Sequence, residues 1–410
     1  MKAKDAPILV VGGGLGGLAA ALALGRKGWP VCVLEETPEF GALGYGIQLG
    51  PNAFHMFDRL GIADDVRSES DQPASVRMLD ALSGEDVACI PTAESFHQRF
   101  THPYIIIHRV DLHRALLDAC RSFPNIALEP ATSVAGFEDE GGRVVAKAHD
   151  GRTFAGTALV AADGLRSAIR AQLLGESDPR LVGYVAHRTI VPMKAVPADV
   201  PRDDVVLWAG PGYHIVHYPL RHGSLFNIVA VFRTPTHAAR GDSVQYRREL
   251  ERSYSSAHRS MQALLAMMDL ERRWPIADRD PIRKWSKGRV TLLGDAAHPT
   301  LQSLAQGACM AIEDAVCLAD LVDRSGGDFA AAFRQYQRAR SARTARVQLE
   351  SRALWQVYHA AGAAREARRQ VFAAKSAKDL FESLAWLYDG FVPSSDARPA
   401  AVGRAFDRVG

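Results

Sequence analysis

The stretch Pro7-Ile8-Leu9-Val10-Val11-Gly12-Gly13-Gly14-Leu15-Gly16-Gly17, followed by Leu18 to Lys27 and then by Val31-Cys32-Val33-Leu34-Glu35, decides the fold of this 410-residue chain. Pro7 to Val11 reads as a short buried strand and the glycines as a tight turn. Leu18 to Lys27 reads as a helix closing near Gly28, and Val31 to Leu34 as a second strand, which completes a βαβ unit of about thirty residues. Gly12, Gly14 and Gly17 make a GxGxxG. It sets glycine at the tight turn, where backbone must approach a pyrophosphate, and where helix packs on strand. The helix start supplies N–H groups and positive potential. Glu35 follows about twenty residues on, at a strand end, where a carboxylate can accept ribose hydroxyls. The glycine pattern alone is common, and the strand, helix and acid around it give it weight.

Farther along, Ala158 to Ala162 reads as another buried strand leading into Asp163-Gly164, with Ser167 as a cap for the next helix. Val290 to Leu293 repeats the pattern before Gly294-Asp295-Ala296-Ala297-His298-Pro299, and Ala308 to Leu321 reads as an amphipathic helix. An aspartate at the carboxyl end of a buried strand suits a hydroxyl-rich ligand in the crevice above a parallel sheet. Between Tyr184 and Asp280 the texture changes. Val205 to Leu207, Tyr213 to Tyr218 and Phe226 to Phe232 are β-branched and aromatic runs separated by turn dipeptides. The plan is α/β: a Rossmann-like domain in two pieces, 1–183 and 281–325, an inserted β-sheet substrate domain over 184–280, and a helical C-terminal region over 326–410. The tail beyond Phe391 reads as loosely held.

A formal charge of +3 gives no electrostatic argument for nucleic acid. The basic excess is local, with Arg338, Arg340, Arg343, Arg346, Arg352, Arg365 and Arg368 spaced among helix formers, and reads as a solvated or subunit-facing helical surface. A homodimer is compatible with it. Five scattered cysteines without a CxxC argue against disulfides and zinc and fit a reducing cytoplasm. The apolar run from Ile8 to Gly25 is too glycine-rich to be a spanning helix, so no transmembrane segment is expected. Asp295, Asp320 and His298 lack a third partner at ligand spacing, so no metal is expected either.

The dinucleotide fingerprint, the Asp163-Gly164 motif and the Gly294-Asp295 motif occur in the order that resembles the flavoprotein aromatic hydroxylases. These are the para-hydroxybenzoate hydroxylase-like, or group A, FAD monooxygenases, and the resemblance extends over nearly the whole chain. It implies non-covalent FAD, NADH or NADPH as a transient reductant, O2, and a small aromatic acid as substrate. Gly12, Gly14, Gly17 and Glu35 would then hold the ADP half of FAD, and Asp295 the ribityl chain. Asp163 would serve FAD and NAD(P)H together, and Arg109, in His108-Arg109-Val110-Asp111-Leu112, would lie against the pyrophosphate. Pro299 and Gly307 would bracket the isoalloxazine, with the helix that begins near Gly307 aiming its positive end there. His298 would be close to the cofactor but not catalytic. Gly210 to Leu220, Trp274-Pro275, Asp278 to Ile282 and Leu301-Gln302 resemble the 3-hydroxybenzoate 6-hydroxylases, which make gentisate. Decarboxylative hydroxylation of salicylate to catechol is the second enzymatic reading, and a flavin-binding redox or interaction protein is a third. Tyr45, where the family usually has alanine, and Cys309-Met310 depart from the common pattern.

Transfer of the distal oxygen of a flavin C4a-hydroperoxide, which the resemblance implies, is electrophilic attack on an electron-rich ring. Deprotonating a phenol, whose pKa is about 10, activates that ring and needs a base in reach. In an alternating strand His214, Val216 and Tyr218 share one face, and Ile215 and His217 the other. On spacing alone His214 reads first as a hydrogen-bonded core histidine. The resemblance makes it the candidate base, Tyr218 a substrate-binding group and Gln302 a catalytic group orienting the ring, with His217 structural.

Overall fold

Runs of apolar β-branched residues that cannot face water pair edge to edge at the centre of the molecule. The computed structural model describes residues 6–41, 44–176, 178–234 and 243–391. Ile8–Val11 lies between Val31–Leu34 and Ala158–Ala161, parallel to both. Ile126–Glu129 and Val290–Leu292 extend this sheet in parallel, and Ser286–Lys287 closes one edge antiparallel. Every residue of the three central strands is buried, as a parallel sheet covered on both faces requires.

The first helix runs Leu15–Arg26, three residues earlier than the sequence reading placed its start. Gly16 and Gly17 belong to its first turn, not to the loop before it. A Cβ on Gly17 would stand 1.8 Å from the Gly12 carbonyl oxygen, and Gly12 itself has φ +103°. Glycine is therefore fixed at both positions by contact and by backbone angle. Ser167 caps Ala168–Leu174 by accepting from Arg170 N at 2.8 Å, as expected.

The β-rich segment forms a seven-stranded sheet, ordered Trp274–Asp278, Arg180–Pro192, Leu225–Arg233, Tyr213–Leu220, Val205–Gly210, Ser75–Asp80 and Asp86–Pro91. Its last two strands come from far earlier in the chain, and Ser75–Asp80 joins Val205–Gly210 in parallel. One face packs on a core built around Trp208, Ile215, Ile228 and Tyr254. The other face looks toward the helices Gly307–Arg324 and Phe329–Tyr358 and roofs a cavity. The Gly307–Arg324 helix packs on Leu15–Arg26, so the two helix N-termini flank the edge of the parallel sheet. No helix of the described residues is long and apolar enough to cross a membrane.

The arginine-rich segment corrects the sequence reading of a solvated face. Arg340 is fully buried, with Nε 2.6 Å from Asp314 Oδ1 and Nη1 2.6 Å from Glu313 Oε2. Arg343 joins the same Glu313 and donates to the carbonyls of Trp386 and Leu387 at 2.7 Å. Arg365 and Arg368 grip the buried Asp80, and Arg352 spans Asp278 and Asp280. Arg338 and Arg346 do face solvent. Buried carboxylates elsewhere in the chain demanded these cations, and nothing local in the segment could announce them. The expectation for the tail beyond Phe391 lies outside the described residues.

Candidate cofactor and substrate site

Two cavities meet at the carboxyl edge of the parallel sheet. The smaller, about 380 Å³, is lined by Gly12, Gly14, Glu35, Asp163, Gly164 and the start of the Gly307 helix. The larger, about 920 Å³, lies under the seven-stranded sheet. Ile47, Arg109, Asp295, Gly307 and Ala308 line both, so one elongated ligand can thread from the glycine loop into the chamber.

The sequence-predicted cofactor residues gather along this path. Glu35 Oε2 accepts from Gly13 N at 2.6 Å and its Oε1 accepts from Thr37, which holds the carboxylate at the mouth of the small cavity. Among the described residues, no atom beyond Gly14's own chain neighbours lies within 4 Å of where its Cβ would stand, so its backbone is open to a close-approaching group. Asp163 Oδ2 accepts from Ile169 N at 3.3 Å, while the buried Oδ1 has no partner among the described residues. Burial raises its pKa, so that oxygen awaits a donor such as a ribose or ribityl hydroxyl. Asp295 is exposed to both cavities, and the protein around it raises its carboxyl through desolvation, against the opposing pull of His298 and Arg109. Gly307 begins the Gly307–Arg324 helix beside Asp295, with the helix N-terminus at the junction of the cavities. An unpaired buried carboxylate oxygen, an open glycine backbone and a continuous trough fit FAD.

Pro299 and His298 line neither cavity. The Pro299 carbonyl accepts from Gln348 at 3.0 Å, and His298 Nε2 lies 2.5 Å from Asp314 Oδ2. Burial opposes charge on Asp314, yet His298 and Arg340 hold its carboxyl below the ordinary range. His298 thus anchors the Gly294 turn from behind and does not face the cofactor path, because Asp314 sits inside the helix core. Cys309 and Met310 are likewise buried and line neither cavity.

The chamber collects the other candidates. His214, Val216 and Tyr218 all line it, while Ile215 packs in the opposite core and His217 accepts from Trp208 Nε1 at 3.0 Å. Gln302 enters from the short turn after Thr300. Tyr45 stands edge-on to Trp274, ring centres 5.4 Å apart, and both form part of the wall. Burial pushes the Tyr218 phenol up to about 12, so it stays a neutral donor. Burial drives the His214 imidazole well below its ordinary value, so at neutral pH it is uncharged.

Several polar residues around the site escaped the sequence reading, and two of them contact predicted site residues. Arg188 lines the chamber from the Arg180–Pro192 strand, and its Nη2 donates to Gln302 Oε1 at 3.0 Å. It lies opposite Val229, which lies opposite Val216, so Arg188 shares the face of His214 and Tyr218 two strands away. The available signal was an arginine inside a strand, between the apolar runs Tyr184 to Ala186 and Ile190 to Val191. The second is His359, whose Nε2 is 2.9 Å from His214 Nδ1. No local pattern marked it, since it sits at the end of a helix 145 residues downstream.

Residues 5–351 match the family model described as FAD binding domain. The chain is 42% identical over 384 residues to the 3-hydroxybenzoate 6-hydroxylase of Polaromonas naphthalenivorans, covering 94% of this chain and 96% of that protein. It is 39% identical to the 3-hydroxybenzoate 6-hydroxylase of Klebsiella oxytoca, covering 94% and 97%. Among solved structures, HpxO of Klebsiella pneumoniae complexed with FAD and uric acid superposes with a TM-score of 0.81 at 27% identity, covering 93% of this chain and 96% of that one. Matched by the family model over most of its length, and carrying a dinucleotide trough that opens into a buried chamber, the chain belongs to the FAD-dependent aromatic hydroxylases, the group A flavoprotein monooxygenases.

Proposed function

We propose that the protein hydroxylates 3-hydroxybenzoate para to its phenol oxygen, giving gentisate, with NADH or NADPH as reductant, in a reducing cytoplasm that keeps its five cysteines as thiols. The observation that carries this reading is the sheet face that presents His214 and Tyr218 at one place and Arg188 two strands away. A base and a cation on one wall match a phenol and a carboxylate on one ring. The relatives named 3-hydroxybenzoate 6-hydroxylase support the choice of acid.

Bound FAD, once reduced, activates O2 for transfer of one oxygen atom to the ring. The protein's own part is to hold and polarise the substrate. Gly12, Gly14, Gly17, Glu35, Arg109, Asp163 and Asp295 would hold the cofactor along the trough. Arg188 and Gln302 receive the carboxylate, which supplies the counter-charge a half-buried guanidinium lacks. Tyr218 donates to the phenol oxygen. His214 takes the phenolic proton, and the cost of charging a buried imidazole is offset by the phenolate formed beside it. Ring charge then rises at the ortho and para carbons. The apolar walls, including Val216, Val229 and Leu301, exclude water from the reacting ring.

Mixing flavin-loaded protein with NADH, air and a panel of hydroxybenzoates, with products separated by chromatography, tests the reading. Gentisate from 3-hydroxybenzoate is expected. Catechol from salicylate as the main product, or NADH oxidation that yields only peroxide with every acid, would replace it.

A further inference from the structure

We propose that the chamber also accepts hydroxybenzoates bearing a long apolar chain para to the carboxylate, the chain lying in an apolar arm beyond the reach of 3-hydroxybenzoate itself. The proposal rests on the ring placement given above and extends it to a substrate class. It begins from a mismatch of size. The chamber measures about 920 Å³, in the upper range of pockets that bury ligands several times larger than a single-ring acid. One end, at Ile47, Arg109, Asp295, Gly307 and Ala308, is continuous with the trough, and the flavin ring would enter there. The surplus space lies toward the other end.

Strand register shows where that space runs. Arg188, Val229, Val216, Leu207, Met78 and Ala88 stand opposite one another in turn across neighbouring strands of the seven-stranded sheet, and all of them line the chamber. The substrate ring spans the first part of this row, from Arg188 to the strand of His214 and Tyr218. From Val216 to Ala88 the row continues over three further strand spacings, about 14 Å, without a polar side chain. Val205, Val76 and Ile90 repeat the pattern one step along the strands. Helices supply the facing wall. Phe372 of the Gly362–Ala373 helix packs against the cluster of Met78 and Leu207, and Leu384 of the Ala377–Tyr388 helix against that of Val205.

Charge sets the direction of the occupant. Apart from Arg188 and the trough residues Arg109 and Asp295, the charged residues that line the chamber are Arg77, Glu350 and Lys375. Arg77 is paired with Asp86 at 2.8 Å, Glu350 with Arg346 at 2.6 Å, and Lys375 is exposed. The arm thus sets no uncompensated buried charge against a hydrocarbon, and its apolar lining gives water few partners. Arg188 draws a carboxylate to the inner end, so the chain trails outward along the row. A ring held by its carboxylate at Arg188 and its phenol at His214 turns the carbon para to the carboxylate toward Leu207. The carbon para to the phenol is a different one and stays free.

The reaction on such an acid balances as it does without the chain. One atom of O2 forms a C–O bond at the carbon para to the phenol, which loses its hydrogen as a proton. The other atom leaves as water, with the electrons supplied by NADH or NADPH.

Two acids test this in the FAD-loaded protein: 3-hydroxybenzoate bearing a methyl group, and 3-hydroxybenzoate bearing a hexyl group, para to the carboxylate. Each buried methylene contributes about three- to fourfold in affinity. After the cost of fixing the chain, the hexyl acid should bind about 10- to 100-fold more tightly than the methyl acid, read from flavin absorbance. NADH and air should convert it to the hexyl gentisate, identified by mass spectrometry. Ala88→Trp from the sheet and Leu384→Trp from the helix wall should each abolish the hexyl advantage, with Kd and turnover of 3-hydroxybenzoate unchanged. Equal affinity for the two acids overturns the proposal, as does a hexyl advantage that survives both tryptophans. A fatty-acyl lipid recovered from the purified protein by solvent extraction, and not displaced by the hexyl acid, would assign the arm to that lipid and overturn it too. Should either tryptophan variant fail to fold, the other and the wild-type comparison still decide. If the wild type makes no gentisate from 3-hydroxybenzoate, the substrate reading fails by itself, while the affinity difference, which needs no turnover, still judges the arm.

Discussion

Replacing Arg188 by Gln removes its guanidinium charge from the chamber's sheet wall while keeping an amide that can still meet Gln302. Arg188 stands two strand spacings from Val216, about 10 Å across the sheet, with the substrate ring expected to bridge the gap. Its hydrogen bond to the Gln302 amide leaves other guanidinium N–H groups for an anion. A hydrogen bond to a charged group is worth about 1.5–3 kcal/mol, so Kd for 3-hydroxybenzoate should rise about 10- to 150-fold. Flavin absorbance changes on titration give Kd directly. Phenols that lack the carboxylate, such as 3-hydroxybenzyl alcohol, provide the control and should bind both proteins alike. Gentisate yield per NADH should also fall, because an untethered ring samples unproductive poses. A change in Kd under threefold, or an equal loss for the alcohol, would show that Arg188 does not bind the carboxylate.

His214→Ala should slow hydroxylation by about 10² to 10⁴ while FAD stays bound, and a rate near wild type at pH 7 would remove it as the base. Gly17→Ala drives a methyl group into the Gly12 carbonyl, 1.8 Å away, so purified protein should be largely free of FAD, read from the 450 nm band; full flavin content would contradict the trough. Arg340→Met leaves Glu313 and Asp314 buried without their main cation and should cost about 3–5 kcal/mol in denaturant unfolding, whereas a neutral outcome would mean the carboxyls re-pair elsewhere. Burial lowers His187 and His359 to about 4 and His217 to about 3. A histidine depressed in the folded state stabilises fully above its unfolded value near 6.5 and loses that contribution as pH falls toward 4 and 3. These shifts are each worth on the order of 3–5 kcal/mol, so Tm should drop steadily from pH 7 to pH 5; a flat Tm there would contradict the shifts.

The sequence by itself determined what is written in short spans. Strand, glycine turn and helix around Gly12 to Gly17 are local, and so is the alternation that puts His214 and Tyr218 on one face, because a strand's period follows from its own backbone. Tertiary structure alone decided which distant groups stand together. Arg188 shares a wall with His214 only through strand register, and His359 reaches His214 from the end of a helix far downstream. Arg340 lies in the core because Glu313 and Asp314 face it from another helix, although its own neighbours spell a solvated surface. His298, beside a cofactor motif in sequence, turns to Asp314 and away from the cavities. Burial and charge pairing are properties of the assembled interior, where desolvation makes each polar group find a partner, and no window along the chain contains both members of such pairs.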